Sequence, residues 1–553
     1  MRNSAPIGAY PAPSVFRQLS ESVVLLALAV VLFRAFAAEG YLISTGSMAP
    51  CLLGYHKQVN CPCCHYQFAR GAAFDADSTQ DMVYASGDGS FLGWAHDSLE
   101  ESTSCPNCGW SGISVADVPR NEGDQLLVHK NAYEFRDPRR WEVIVFQNAA
   151  DPQQAYCKRV VGLPNEHIAI RDGDIYADGQ LQQKPYVVQK AIRIPFWDND
   201  FQPDSGEHTQ PRWQPADDGG WESLGTGFRF YPENPPTALT TSWLGYRHWT
   251  RFGGSHLTHV RLPNWPHDVP LPDGPNESLR YSSKTGRLTV KGVLSPFELQ
   301  RWQNRSDDPD WQAALETLAL KSHYGRIEDA YGYNVAGVLQ TYPVHDLMLE
   351  FELTRTEDAG RVEVEMTDGH DRFTLVLDFV DGEAELLANG DAVPVRHGHF
   401  PASLRNASQI IEMSTFDRQV IVAVDGHELF APWPYEQSSK RKPLQQPVRI
   451  GAAGGEFTVQ HLKLYRDVYY TPKGETDEHP LEQSLGDDEF YVLGDNSPVS
   501  VDSRVWDDPA VRRTALIGKP LVVHLPSQQG TLKWGGEIHH VRIPDFSRVR
   551  YIR

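Results

Sequence analysis

Ile43-Ser-Thr-Gly-Ser-Met-Ala-Pro50 decides how the rest of the chain is read. It follows an apolar run and offers one serine, Ser47, between a glycine and a methionine. Serine in a short polar turn is ordinarily just a turn residue, so the stretch takes its meaning from two places far down the chain. In Tyr156-Cys-Lys-Arg-Val-Val-Gly162 a period of two puts Tyr156, Lys158 and Val160 on one face of a strand. A lysine between an aromatic ring and a valine loses hydration and its pKa falls, as a general base requires. The spacing alone also fits a surface lysine lying along apolar neighbours. Gly494-Asp-Asn-Ser-Pro-Val-Ser-Val-Asp-Ser-Arg504 then gathers acids, serines and an arginine. Such a cluster reads either as a fixed polar network beside a functional site or as a structural turn closed by a salt bridge.

At 553 residues the chain is too long for one ordinary core and predicts two to four domains. A net charge of -21 argues against a general nucleic-acid binder, which needs basic stripes to meet phosphates. Seven cysteines, mostly clustered, are too few for a disulfide framework spanning the molecule.

Val23 to Phe33 is unbroken apolar sequence, and Ala35 to Ala38 extends it past Arg34. The run is short for a span of about 20 residues, although flanking residues can complete it and Arg34 can reach outward. Three readings compete: a membrane anchor, a cleaved signal ending at Ala35-Phe-Ala37, and a buried helix. Either membrane reading carries everything after residue 40 across the bilayer.

Cys61-Pro-Cys-Cys64 and Cys105-Pro-Asn-Cys108 form two C-P-x-C turns, each aiming two sulfurs at one centre. Together Cys61, Cys64, Cys105 and Cys108 complete a tetrahedral sulfur set suited to a structural zinc. The alternative is a pair of disulfides, favoured if the segment lies in an oxidising compartment. His65 stands where such turns usually have glycine, and Cys63 is a competing ligand inside the first turn.

Four boxes in order resemble the bacterial type I signal peptidase family, membrane-anchored Ser-Lys endopeptidases that remove secretory signal peptides. The S-x-S-M-x-P box is similar to Thr45-Gly-Ser47-Met-Ala-Pro50, and G-D-x-[IVL]-x-V-x-K matches Gly123 to Lys130. K-R-V-x-G-x-P-G-[DE] is similar to Lys158 to Glu166, with Asn165 for glycine, and G-D-N-x-x-x-S-x-D-S-R is met in full by Gly494 to Arg504. The resemblance covers roughly residues 15 to 55, 120 to 188 and 468 to 526. It implies an all-β catalytic core in which Ser47 is the nucleophile and Lys158 the general base. Thr45 would donate to the oxyanion beside the Ser47 amide, Ser500 would orient the lysine amine, and Asp495, Asp502 and Arg504 would hold the network. It also implies an uncleaved anchor at the inner membrane with the catalytic core on the extracytoplasmic face. No cofactor is implied for catalysis, and the partners implied are precursor signal peptides after Ala-x-Ala and the lipid bilayer.

Between the lysine box and the last box lies far more chain than the chemistry requires. Ser295-Pro-Phe-Glu298 is a capping box with proline in the first turn, and Asp308-Pro309 opens a second helix. Alternating runs follow at Leu347–Leu353, Arg361–Met366, Phe373–Leu377, Val420–Val424 and Val459–Leu464, predicting an antiparallel β-sandwich. It looks like a concanavalin-type or laminin-G-type jelly roll, which suggests a glycan or envelope component as partner by fold analogy alone. Its tryptophans read as core rather than sugar platforms.

The expected order begins with a tail (1–19) and a transmembrane anchor (20–38), then a first core segment (39–55) and a zinc-ribbon-like insertion (56–118). A second core segment (119–189), a lectin-like β-sandwich (190–466), a third core segment (467–526) and a basic tail (527–553) complete it. The expected fold class is therefore mainly β. None of the residues implicated in chemistry lies between 190 and 466, so that span is expected to be separable from the catalytic core. A competing reading makes the chain an envelope carbohydrate- or protein-binding protein on an inactive peptidase scaffold.

Overall fold

The computed structural model describes residues 15–36, 38–72, 102–148, 151–204, 209–216, 219–232, 240–251, 257–272, 278–334, 340–356, 359–399, 408–436, 440–472, 481–534 and 537–552. Ala37, the last residue of the small-x-small triplet, and most of the long loop between the two cysteine turns lie outside them.

The chain is mainly β, as its alternating runs predict. The first helix, α1 (Val15–Phe36), carries the apolar run. Phe16, Val23, Val24, Leu25 and Leu26 all project from it largely exposed, so the body of the protein does not bury them. Among the described residues no helix is long and apolar enough to cross a membrane.

One antiparallel sheet collects the quoted boxes although they come from three separate stretches of the chain. Its strands are β1 (Ala38–Leu42), β2 (Gln125–His129), β3 (Val143–Asn148), β4 (Asp151–Gly162), β5 (Glu489–Leu493), β6 (Ala510–Arg512), β7 (Leu516–Val523) and β8 (Arg550–Tyr551). They lie in the order β1-β2-β7-β3-β4-β5-β6, with β8 beside β7. Ile43, Met48, Leu52, Leu126, Val128, Val143, Val145 and Val523 pack together around the Ser47 stretch. Ile144, Phe146, Val160, Phe490, Val492 and Val511 form a second cluster. Strand alternation thus gives β3 an apolar side chain on both faces, as a covered strand requires.

The large insertion builds two more antiparallel sheets of nine and seven strands. Their inward side chains share one apolar cluster that includes Trp197, Trp213, Trp221, Phe351, Leu375, Ile411 and Ile450. These tryptophans are core, as the sequence predicts. A smaller unit was not legible: strands Leu257–Arg261, Leu279–Ser282 and Arg287–Lys291 pack on helices Pro296–Gln303 and Pro309–Ser322 around Trp302 and Trp311. The capping box at the first of these helices is formed, with Ser295 accepting from the Glu298 amide and Glu298 reaching back.

Residues 190–466 are not free of the core but make buried polar contacts with it. Lys184, in the second core segment, is buried between Asp417 of the insertion and Asp467 at the return to the core. Its amide also donates to Asp417 (2.9 Å), and its carbonyl accepts from Gln419 (2.8 Å) and Gln189 (3.1 Å). Arg441 of the insertion donates to Asp172 and Asp346, 2.9 Å to each. Burial alone would lower the Lys184 pKa, yet the two carboxylates hold it well above the usual lysine value. The basic tail is likewise tied in: Arg548 donates to Asp124 (2.7 Å), and Arg550 to the Cys51 carbonyl.

A buried ammonium shared by two carboxylates makes the seam sensitive to its loss. Lys184→Met leaves both acids uncompensated and is expected to cost about 3–5 kcal/mol. A shift of the urea unfolding midpoint checks this; a variant as stable as the parent contradicts it.

Candidate functional site

The Ser47 stretch is a loop clamped at both ends by the second box. Gly123 passes so close to the loop that a Cβ there would sit 1.8 Å from the Ile43 carbonyl oxygen. Asp124 accepts from the Leu53 amide through its carboxylate (3.0 Å) and from the Ile43 amide through its carbonyl (2.9 Å). Its own amide donates to the Leu53 carbonyl (2.8 Å). Asp124 is almost wholly buried, so these bonds are not exchanged with water. Within the loop Ser47 is half-buried, and its hydroxyl lies 3.4 Å from that of exposed Thr45.

The last box grips the loop from the other side. The Asn496 amide donates to the Ser47 carbonyl, and its side-chain Nδ2 to the Gly46 carbonyl, both at 3.0 Å. Gly494 is wedged in the same place: a Cβ there would meet the Ser500 Oγ at 2.2 Å and the Ser47 carbonyl oxygen at 2.5 Å. The Ser47 carbonyl and the Ser500 hydroxyl therefore both crowd a position that must be glycine. Among the described residues the Ser47 N–H donates to none, so it is available as a donor.

Lys158 comes to this place on β4, opposite Ile144 of β3, while Arg159 beside it pairs with Leu493 of β5. It is 3% exposed. Burial strips water from the ammonium and lowers its pKa from the ordinary 10.5 to about 8. Asp502 opposes the fall and the Arg504 guanidinium adds to it. Among the described residues the Lys158 amine and the Ser47 hydroxyl share no hydrogen bond, a looseness common before substrate binds.

Two buried ion pairs brace the site. Arg159 holds Asp495 in a fork, Nε and Nη2 each 2.7 Å from a carboxylate oxygen. Arg504 holds Asp502 in the same way at 2.8 and 2.7 Å, while its Nη1 donates to Ser497 Oγ (2.7 Å) and the Thr471 carbonyl (2.8 Å). Burial alone would raise the Asp502 carboxyl, but Arg504, then Lys158 and the Gly494 amide, hold it down to about 2. Asp495 thus braces Arg159 rather than lying with Asp502 in one pair, a division invisible in the sequence. Arg159 and Asn496 join the candidate site, although the sequence alone assigned them no role. Their signal was present, since each sits inside a quoted box.

Three residues of the insertion also enter the site, and no local pattern announces them. Tyr331 donates to the Asp495 carbonyl (2.8 Å), and Tyr333 to the Tyr55 carbonyl (2.8 Å). The Tyr333 ring lies against Gly46, where a Cβ would be only 2.1 Å away. Asn334 exchanges two side-chain hydrogen bonds with Asn496, each 2.8 Å.

The cysteine turns form a separate centre. Cys61 and Cys108 sulfurs are 3.6 Å apart, Cys64 and Cys105 sulfurs 3.7 Å apart, and all four lie within 4.8 Å of one another. Bonds of about 2.3 Å at tetrahedral angles put sulfurs about 3.8 Å apart, whereas a disulfide requires about 2.05 Å. The two turns are built alike: His65 donates to the Cys61 carbonyl (3.0 Å) and Gly109 to that of Cys105 (2.9 Å). Both have positive φ, 62° and 73°, so His65 takes the conformation usually left to glycine. Cys63 is not one of these four; it lies beside Cys108 and accepts from Arg251 at 3.5 Å.

Residues 116–218 match the family described as signal peptidase, peptidase S26. Among curated proteins, the chain is 33% identical over 87 residues to the probable signal peptidase I-1 of Synechocystis sp., covering 13% of this chain and 44% of that one. It is 37% identical over 65 residues to signal peptidase I of Bacillus caldolyticus, covering 12% and 35%. The chain thus spans less than half the length of these relatives. Among solved structures, a carbohydrate binding module from Bacillus subtilis is 10% identical, covers 22% of this chain and 74% of that one, and has a TM-score of 0.18. A likeness that weak says nothing about the insertion. Residues 116–218, the segment that carries the lysine box, are thus similar to the signal peptidase I family.

Proposed function

We propose that this protein is a serine endopeptidase that removes signal peptides from exported precursors after small residues in an Ala-x-Ala pattern. The observation that carries the reading is one buried lysine, its pKa brought down to about 8, on a strand adjoining the turn that grips the Ser47 loop. In its neutral form the Lys158 amine takes the Ser47 proton while Oγ attacks the scissile carbonyl. The developing oxyanion is met by the Ser47 N–H and the Thr45 hydroxyl. The lysine ammonium returns its proton to the leaving amine, which departs with the mature protein. Neutral again, the amine draws a proton from water, whose oxygen opens the acyl-serine ester and frees the signal peptide. Ser500, buried against Gly494, is assigned to steer the lysine amine, with the Arg159–Asp495 and Arg504–Asp502 pairs keeping both partners in place. No cofactor enters the chemistry.

The exposed apolar side chains of α1 support its use as a tether to the inner membrane, which holds the site where precursors emerge. The four-cysteine set supports a closed structural zinc held by Cys61, Cys64, Cys105 and Cys108. Two inserted sheets sharing one apolar cluster support reading the insertion as a lectin-like β-sandwich, with a glycan or envelope component as its proposed partner.

Ser47→Ala and Lys158→Ala are each expected to lower precursor cleavage by at least about 1,000-fold with folding intact, because the pair acts as one unit. Lys158→Arg is expected to be equally inactive, since guanidinium keeps its proton. Gel assays of a precursor with an Ala-x-Ala site check all three, and appreciable processing by any of them contradicts the mechanism.

Only the deprotonated amine is a base, so kcat is expected to rise with pH and to reach half its plateau near pH 8. A flat profile across that region contradicts this.

Metal analysis of the purified chain is expected to find about one zinc per molecule. Chelation is expected to loosen the cysteine turns rather than act on the Ser47 chemistry directly. Metal-free protein with the four thiols oxidised contradicts the zinc assignment.

A further inference from the structure

The Gly46 carbonyl accepts from Asn496 Nδ2 and from the Ala49 amide, both at 3.0 Å. With both lone pairs engaged, that oxygen is fixed. The Ala49–Pro50 bond is the cis bond in this stretch, so the Gly46–Ser47 peptide is trans. In a planar trans peptide N–H and C=O point in opposite directions. Fixing the Gly46 oxygen toward Asn496 therefore aims the Ser47 N–H to the opposite side, where it donates to no described residue.

An asparagine side chain alone does not give that orientation, since rotating it by half a turn would set oxygen against the Gly46 oxygen. The Gly46 oxygen, which can only accept, selects Nδ2, and Asn334 holds the Asn496 amide in that plane. Its Nδ2 donates to Asn496 Oδ1 and its Oδ1 accepts from Asn496 Nδ2, each at 2.8 Å, so neither amide turns without the other. Both are buried, Asn334 at 7% exposure and Asn496 at 0%, where an unmade hydrogen bond is costly. Asn334 is itself held. Its amide donates to the Tyr331 carbonyl (3.1 Å), and the Tyr333 carbonyl between them accepts from the Gly71 amide (2.9 Å). The Tyr331 and Tyr333 hydroxyls are fastened to the Asp495 and Tyr55 carbonyls.

We infer that Asp329–Asn334, a segment of the insertion, serves as a strap completing the oxyanion site. Asn334 is a positioning residue: it orients Asn496, Asn496 orients the Gly46 carbonyl, and that carbonyl orients the Ser47 N–H. The kinetic consequences rest on the endopeptidase reading. The insertion is then built into the catalytic apparatus, not an accessory hung from it.

The test compares full-length wild type, Asn334→Ala, Asn334→Leu, Asn496→Ala and the Asn334→Ala/Asn496→Ala double variant. Leucine keeps the volume of the side chain should alanine disturb folding. Outright loss of an oxyanion donor costs about 100- to 1,000-fold in kcat. Misdirecting one is expected to lower kcat by about 10- to 100-fold with KM unchanged within about twofold. Asn334→Ala is expected to cost nothing further once Asn496 is gone. Crystal structures of the Asn334 variants are expected to show the Asn496 amide turned away from the Gly46 oxygen. Normal kcat in both Asn334 variants, effects that multiply in the double variant, or an Asn496 amide still bonded to Gly46 would each overturn the inference. A wild type that cleaves no precursor defeats the endopeptidase reading instead, and the crystallographic comparison still decides whether Asn334 positions Asn496.

Discussion

The structure turns on the contact between the Gly494–Asn496 turn and the carbonyls of Gly46 and Ser47. That contact joins residues 450 positions apart in the chain, and it is possible only because Gly494 has no side chain. Everything else near the site secures one side of this contact or the other. Gly123 and Asp124 pinch the serine loop at Ile43 and Leu53. Arg159 and Arg504 hold the turn through Asp495 and Asp502. Both arginine forks are buried, and a buried pair is strongly disrupted by removing either partner because the other charge is left uncompensated. The site is rigid for that reason.

The same charges tune the lysine. Desolvation dominates and draws the amine toward neutrality, while Asp502 restrains the fall. Because Asp502 is already committed to Arg504 at 2.7 Å, it exerts less pull on the ammonium than a lone carboxylate would. A lysine in this setting titrates below the ordinary lysine range without being stranded as a permanently neutral group. The seam to the insertion applies the opposite rule: Lys184 meets two carboxylates and stays charged. Two buried lysines of one chain thus have opposite protonation behaviour, decided by how many acids face them and whether those acids are otherwise engaged.

Much of this was legible in the sequence. Ser47, Lys158, Asp495, Asp502 and Arg504 fall within boxes whose order carries the resemblance, and the structure gathers those boxes into one sheet and its adjoining turns. Alternation predicted the strands of the insertion because half-buried strands must alternate. The capping box at Ser295 was equally plain, being a purely local signal. What stayed hidden were long-range pairings between polar residues of common types. Asp495 with Arg159, Lys184 with Asp417, and Asn334 with Asn496 involve side chains that elsewhere sit in solvent, and nothing periodic marks them. The contacts of residues 190–466 with the core were hidden for this reason, since the strands revealed a core of their own while Lys184–Asp417 and Asn334–Asn496 left no pattern.

Lys158 can act as the base only if its amine loses its proton near neutral pH while the protein is folded. The most direct test is competitive chemical labelling of the Lys158 amine in the native chain across pH, read by mass spectrometry of the peptide that contains it. The expected titration midpoint is about 8; a midpoint near the ordinary 10.5 would contradict the assignment of Lys158 as the base.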